Sequence, residues 1–401
     1  MTRPALIVVL LIAALARLAV IVPRLGQPMD DPDNYLAIAR SVANGQGYRL
    51  AGRPTAYRPP LYPLLLVPGA WGADLSLWVF TLNVGLGAAT VGLTYGTARR
   101  WDRPRGRALV AAAIVALDPV LVAQARLPMT ETLSAATLAL ALWALSGPGQ
   151  LRPTLLGGLS LGLAALCRPS ALPSAGLIAA AVLWAAPGTA RTRITRAGVL
   201  VAALLVPLIP WAIRNTLIFG EPVWTTTHGG YTLALANNPA YYDEVVNGPP
   251  GAVWGGPRQD AWWTELNRRT SGMLEPQADR LVRRLAIATI AERPRDFVRA
   301  SLARLGRFWG LAPSAQVYPG RLRLATAVWT APLWVALAAG LLRRDAWRWP
   351  RLAAPLLLVG FTCVHAVFWT DLRMRAPLVP AIALVAAAAG LPRRDAAGIP
   401  R

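Results

Sequence analysis

The chain has 401 residues, 55% of them hydrophobic and 15% charged, with a mean hydropathy of +0.42. Soluble domains carry about 25% charged residues, so an ordinary soluble enzyme is excluded, and this apolar content equally excludes a disordered chain. The 41 basic residues, every one an arginine, outnumber 19 acidic ones for a net charge of +22, but they fall in short clusters between apolar runs. That is the pattern of a membrane protein, and no nucleic-acid partner is expected. The two cysteines, Cys167 and Cys363, lie far apart in apolar stretches, so neither a disulfide framework nor a thiolate metal site follows.

A spanning helix needs about 20 mostly apolar residues. Windows that meet or approach this lie at 4–23, 75–98, 108–125, 131–146, 154–167, 171–187, 197–213, 323–342, 351–370 and 376–391. They predict an all-α polytopic membrane protein with about ten transmembrane helices. Residues 1–23 read as a retained first helix, because the apolar run continues past the Ala14-Leu15-Ala16 cleavage-like step. The CRPSALP stretch from Cys167 reads as a turn between two helices; a single kinked helix there would flip everything downstream. With the N-terminus cytoplasmic, the arginine clusters at 99–107, 191–196, 343–351 and 392–401 all fall on the cytoplasmic side, together with the C-terminus. The protein is then expected in a plasma membrane of prokaryotic type, as one transmembrane domain over 1–401. Two long polar segments, 24–74 and 214–320, become extracytoplasmic loops carrying short amphipathic helices. There is no repeat at a fixed period and no inverted pair of broken helices of the transporter kind.

In the first loop Asp30, Asp31 and Asp33 precede an amphipathic stretch that opens at Tyr35 and stops at Asn44-Gly45. A second short helix is expected to start at Pro59-Pro60. Two readings stand for the carboxylates. Asp31 or Asp33 caps the helix, or one carboxylate is a general base that orients a hydroxyl nucleophile. A third use of such a cluster is to hold a hard divalent ion.

The residues Asp31, Tyr35, Ala39, Gly45, Gly47, Tyr48, Arg58, Pro60, Tyr62 and Pro63 resemble the first periplasmic loop of the GT-C glycosyltransferases. The likeness is nearest to family 39, which includes protein O-mannosyltransferases and the lipid A aminoarabinose transferase. Further pieces, in order, are RLPMTETL (126–133), GLSLGLAALCRPSAL (158–172), the segment 210–239 and HAVFWTDLRMRAPLVP (365–380). Family members move a sugar from a polyprenyl- or dolichyl-phosphate carrier to an acceptor outside the membrane, with inversion. The resemblance therefore implies a GT-C fold and a hexosyl- or pentosyltransferase with a polyprenyl-phosphate-linked donor and a lipid, glycan or protein acceptor.

By family position Asp31 is the candidate catalytic carboxylate, with Asp33, Asp30 and Glu131 as rivals. Glu131 reads equally as a capping residue at a helix start. Asp118, near the outer end of a span, reads as functional or as a solvated helix break at Pro119. For the lipid phosphate the candidates are Arg373 and Arg375, then Arg58 and Arg168, since a guanidinium fork suits phosphate; snorkelling at the interface is the alternative for Arg373 and Arg375. His365 is read as facing the same cavity or as a hydrogen-bonded core residue. Tyr35, Tyr62, His228 and Asn237 are candidates for contacts from the loops to substrate. No particular cofactor follows from the sequence, and a divalent metal ion stays open.

In the large loop, 240–276 reads as irregular and 277–311 as amphipathic helices broken at Arg293-Pro294. Trp254, Trp262, Trp263 and Trp309 are candidates to stack on sugars or to anchor at the interface. The arginines from Arg280 to Arg307 suit anionic lipid headgroups. Larger family members carry a soluble domain after the last helices; this sequence reaches Arg401 soon after its last predicted span, and no such domain is expected. The reading from another class is a transporter or flippase of a lipid-linked substrate, and a third is a family member that binds the carrier without catalysis.

Overall fold

In the computed structural model of the chain, which describes residues 3–72, 74–249 and 252–390, each apolar window becomes helix. Helices α1 (Arg3–Ile21), α4 (Leu75–Arg100), α10 (Ala190–Phe219) and α16 (Gly320–Leu341) are long and apolar enough to cross a membrane. Between them lie shorter apolar helices: α5 (Arg105–Leu117), α6 (Pro119–Gln124), α7 (Glu131–Leu145), α8 (Leu151–Cys167), α9 (Ala171–Ala185), α17 (Ala353–Val367) and α18 (Val379–Ala386). The chain is a polytopic helical membrane protein. The turn expected at CRPSALP is present, with Arg168 in an extended conformation between α8 and α9.

Small residues set the closest crossings. On α8, Gly158 and Gly162 stand four residues apart on one face. A Cβ on either would collide with a backbone carbonyl of α10, that of Leu200 or Leu204. This small-xxx-small spacing lets two backbones approach closely where lipid supplies no hydrophobic drive. Gly340 meets the backbone of Val385 in the same way where α16 crosses α18. Arg17 of α1, fully buried, lies against Gly87 and donates to the carbonyls of Ala13 (3.0 Å) and Ala116 (3.2 Å).

Two predicted spans are broken. The window 108–125 ends one helix at Leu117 and starts another at Pro119, because Asp118 caps the new helix by accepting from Leu121 N (2.9 Å). Asp118 is buried, so the break is not solvated as the sequence suggested. The window 376–391 opens in a 3-10 segment, Leu372–Leu378, before α18 begins.

The first loop holds α2 (Tyr35–Ala43) and α3 (Leu61–Trp71), as expected, and between them a short hairpin that was not expected. Its strands are β1 (Arg49–Leu50) and β2 (Arg53–Pro54). Ala51 and Gly52 both take positive φ in its two-residue turn, the backbone a tight hairpin demands. The large loop begins after Phe219 rather than at 214, since α10 runs on. It contains α11 (Gly229–Ala236), α12 (Pro239–Tyr241), α13 (Pro257–Thr270), α14 (Glu275–Glu292) and α15 (Pro294–Phe308). The break at Arg293-Pro294 is where the sequence put it; α13 corrects the reading of 240–276 as irregular throughout.

The loops meet at one end of the bundle. Glu275 Oε2 accepts from Ala56 N (2.7 Å) and from the Thr227 hydroxyl (2.9 Å), and Thr227 N donates to Ala56 O (3.0 Å). The arginine clusters gather at the other end. Arg103 pairs with Asp345 (2.7 Å), Arg351 donates to Trp101 O (2.6 Å), and Arg196 stands over the Trp349 ring. The fourth cluster, 392–401, lies outside the described residues.

Candidate functional site

Asn34, in the left-handed region at φ 61°, turns the chain from the acidic cluster into α2. Asparagine tolerates that conformation. Neither aspartate occupies the cap position, which is Asn34. Asp31 instead reaches forward, and its Oδ2 accepts from Ala37 N in the first turn (2.9 Å). Its Oδ1 is buried and has no hydrogen-bond partner among the described residues. Asp33 Oδ1 pairs with Arg58 Nη2 (2.7 Å), and its carbonyl accepts from Arg58 Nε (3.0 Å). Asp30 is exposed. Asp31 and Asp33 thus engage different partners. Among the described residues no three His, Cys, Asp or Glu side chains gather as a metal-holding set.

Arg58 lies over the rings of Tyr35 (5.7 Å) and Tyr57 (5.2 Å). Its Nη1 is 3.3 Å from His228 Nε2, at the start of α11. A guanidinium only donates, so Nε2 accepts and the His228 proton resides on Nδ1. Burial pushes the His228 pKa well below the usual 6.5, and the Arg58 charge adds to the shift. His228 packs edge-on to Tyr57 (4.3 Å) and against Tyr231 (5.1 Å), which in turn meets Trp263 (5.0 Å).

A second charged group lies where α7, α8 and the 3-10 segment converge. Glu131, fully buried in the first turn of α7, has Oε1 at 3.0 Å from Arg168 Nη1 and 3.8 Å from Arg373 Nε. Arg168 also donates to the Thr130 hydroxyl (3.2 Å) and touches Met374 Sδ (2.6 Å). Tyr35 stands between the two groups: burial raises its hydroxyl pKa, and Arg58, Asp33, Arg168 and Glu131 all act on it. Tyr62, fully buried, meets Tyr35 edge-on (5.3 Å) and is felt by both Glu131 and Asp31. Met129, Leu133 and Cys167 pack with these two tyrosines.

The pairing is unequal. Three carboxylates (Asp31, Asp33, Glu131) face three arginines (Arg58, Arg168, Arg373), yet Glu131 is shared by two arginines and Asp31 has none among the described residues. The site therefore offers one surplus cation, and two buried carboxylate oxygens, Asp31 Oδ1 and Glu131 Oε2, without a hydrogen-bond partner among the described residues.

The other sequence candidates make further contacts. Arg375 is buried, donates to the carbonyls of Phe308 (3.4 Å) and Gly310, and lies over the Trp334 ring (4.9 Å). His365 bonds through Nδ1 to Thr370 Oγ1 (2.9 Å) and stacks on Phe308 (4.7 Å), while its Nε2 is buried without a hydrogen-bond partner among the described residues. Asn237 is fully buried and braces the large loop on α17 through Val367 O (2.9 Å), while its Oδ1 accepts from the Tyr242 hydroxyl (3.0 Å). Trp254 and Trp309 are committed to packing among aromatic rings, whereas Trp263 is exposed. Tyr57, Tyr231 and Glu275 were not singled out by sequence; only the meeting of the two loops reveals them.

The depressed pKa of His228 has a measurable consequence. In the unfolded chain its ring takes up a proton below about 6.5, while the folded ring stays neutral. The stability contributed by the neutral buried ring is complete above that pH and falls as the solution is acidified. The melting temperature of the wild type is expected to drop between about pH 7.5 and 5.5 by more than that of His228→Phe. Equal drops in the two proteins would show that His228 titrates normally.

No family model matches the chain, and no curated protein matches it. Solved structures do. An oligosaccharyltransferase of Archaeoglobus fulgidus, tethered to an acceptor peptide containing the NVT sequon, superposes with a TM-score of 0.55 at 16% identity. The match covers 95% of this chain and 49% of that one. The archaeal oligosaccharyltransferase AglB from the same organism, in complex with an inhibitory peptide and a dolichol-phosphate, gives 0.53 at 14% identity, over 95% and 49%. ArnT from Cupriavidus metallidurans, bound to undecaprenyl phosphate, gives 0.42 at 18%, over 94% and 76%. The chain spans about half the length of the oligosaccharyltransferase chains it matches. A polytopic helical bundle with a charged site beneath two loops at one end defines the class of protein. Its particular fold is that of the oligosaccharyltransferase structures on which it superposes.

Proposed function

We propose that the chain is an integral membrane glycosyltransferase that moves a sugar from a polyprenyl-phosphate carrier to an extracytoplasmic acceptor, with inversion. The unequal pairing of charges carries this reading. Such a transfer needs a carboxylate free to receive a hydroxyl proton and a cation free to receive a phosphate. Asp31 Oδ1 supplies the first, and Arg373 with Arg168 the second. The acceptor hydroxyl donates to Asp31 Oδ1 and attacks the anomeric carbon. Its proton passes to the carboxylate as the bond from carbon to phosphate oxygen breaks. The bonding pair leaves with the carrier phosphate, whose growing charge the two arginines offset.

Arg58, held by Asp33 and His228, then positions the donor between the loops, with Tyr35 and Tyr62 beneath. Residues 24–74 and the large loop up to 320 form the extracytoplasmic face, and both termini are cytoplasmic. The oligosaccharyltransferase likeness supports the reading through the fold.

The test uses the full chain in proteoliposomes with a labelled panel of polyprenyl-phosphate monosaccharides and a crude envelope acceptor. Consumption of one donor with label appearing on the acceptor is the expected result. Movement of lipid across the bilayer with no donor consumed would replace the transferase by a flippase.

A further inference from the structure

A cavity of about 420 Å³ lies between α2, the hairpin, α3 and the last turns of α10. This is within the size of ligand-holding clefts, about 300–1,000 Å³. Its walls are mainly apolar: Val42, Tyr48, Leu64, Trp211 and Ile218. Leu64 and Ile218 are 48% and 41% exposed, and Leu217 beside them is 82% exposed. Ile218 belongs to a helix long and apolar enough to span the membrane, so the mouth continues the lipid-facing surface.

Two arginines line the polar end. The Arg214 guanidinium lies over the rings of Trp211 (4.9 Å) and Tyr48 (5.6 Å). Its N–H groups donate to Thr55 O (2.7 Å), Tyr48 O (2.8 Å) and Asn215 Oδ1 (2.8 Å), all neutral acceptors. Arg49, at the exposed rim, donates to Gly52 O (2.9 Å). Among the described residues neither arginine has a carboxylate within ion-pairing distance. The pattern contrasts with Arg58, Arg168 and Arg373, each of which faces an acid. None of the charged residues of that site lines the groove, and the Tyr48 hydroxyl links the two by donating to the carbonyls of Arg58 (3.0 Å) and Pro59 (3.2 Å).

We propose that this groove binds one anionic phospholipid, an acyl chain lying between Val42, Leu64, Trp211 and Ile218 and the headgroup phosphate on Arg49 and Arg214. Two cations with no carboxylate in ion-pairing distance among the described residues, the nearest charge felt by Arg214 being Glu275, stand at the head of an apolar slot that opens on the lipid-facing surface and complement an amphiphile with a negative head. The occupant is a resident lipid, and the proposal does not depend on the glycosyl-transfer reading. Its place behind the segment carrying Arg58 makes it a brace for that segment.

The test is native mass spectrometry of the full-length protein after exchange with equal amounts of phosphatidylglycerol and phosphatidylcholine. Wild type is expected to retain one phosphatidylglycerol in preference to phosphatidylcholine. Arg49→Gln, at the exposed rim, should lower phosphatidylglycerol retention about fivefold and leave phosphatidylcholine unchanged. Leu64→Trp, which narrows the mouth, should lower retention of both. Gel filtration and melting temperature check that each variant is folded, and Arg49→Gln decides the matter if Leu64→Trp is not. Equal retention of the two lipids by wild type, or the same preference in Arg49→Gln, would mean annular lipid only and overturn the proposal.

Discussion

Asp31→Asn is expected to remove sugar transfer while leaving the fold intact. A positioned general base contributes about 10²–10⁴-fold to a rate, and that is the loss expected in kcat for the labelled donor. The substitution separates the two uses of this side chain. Asp31 Oδ2 accepts from Ala37 N in the first turn of α2, and an asparagine carbonyl makes the same bond. Asparagine and aspartate are about equal as helix caps, whereas loss of a cap to alanine costs about 1 kcal/mol. Asp31→Asn should therefore melt near wild type and bind the carrier phosphate normally, and only the chemical step should fail. Asp31→Ala should fail in turnover to the same degree and be less stable as well.

Asp33→Asn is the control within the cluster. It withdraws the partner of Arg58 (2.7 Å) without touching Asp31, so its effect should fall on donor affinity more than on kcat. If Asp33→Asn abolished turnover and Asp31→Asn did not, the base would be Asp33 and the pairing of charges would have misassigned the roles.

The ten apolar windows were legible because lipid leaves the backbone no partner but itself, so each run had to be helix. The Gly45 stop, the Pro60 start and the break at Arg293-Pro294 were legible for local reasons as well, each resting on one residue's backbone preference. Partners were not. Asp33 and Arg58 are 25 positions apart, and Glu131 and Arg168 are 37 apart. Nothing in the spacing says that the start of α7 meets the end of α8.

The Arg-x-Arg pair shows the limit most clearly. Sequence treats Arg373 and Arg375 alike, but the segment carrying them is a 3-10 helix. With three residues per turn, positions two apart point about 120° away from each other. Only Arg373 reaches Glu131, and Arg375 is spent on the carbonyls of Phe308 and Gly310. His228 carried no partner motif in the sequence; it enters the site because Glu275 ties the large loop to the first. The helix α13 was hidden because Gly255, Gly256 and Pro257 read as loop residues, although proline is well suited to a first helical turn.

Glu131→Gln is expected to move stability and phosphate affinity in opposite directions. Glu131 is fully buried with Arg168 at 3.0 Å and Arg373 at 3.8 Å from one oxygen. Removing one partner of a buried ion pair leaves a charge that water cannot reach, at a cost of about 3–5 kcal/mol. The glutamine is isosteric, so the loss reflects charge and not a cavity, and it should appear as a lower melting temperature in detergent. Arg373 is about a third exposed and can turn outward, so the cost centres on Arg168. Arg168→Met in the Glu131→Gln background should therefore recover part of the lost stability, as expected when the pair is replaced by an apolar side chain. In the single variant both arginines lose the carboxylate that competes with a phosphate for them. Undecaprenyl phosphate should bind more tightly to Glu131→Gln than to wild type, and not at all tightly to the double variant. If Glu131 were instead the base, Glu131→Gln would lose turnover with no gain in phosphate affinity, and the assignment of Asp31 would fall with that result.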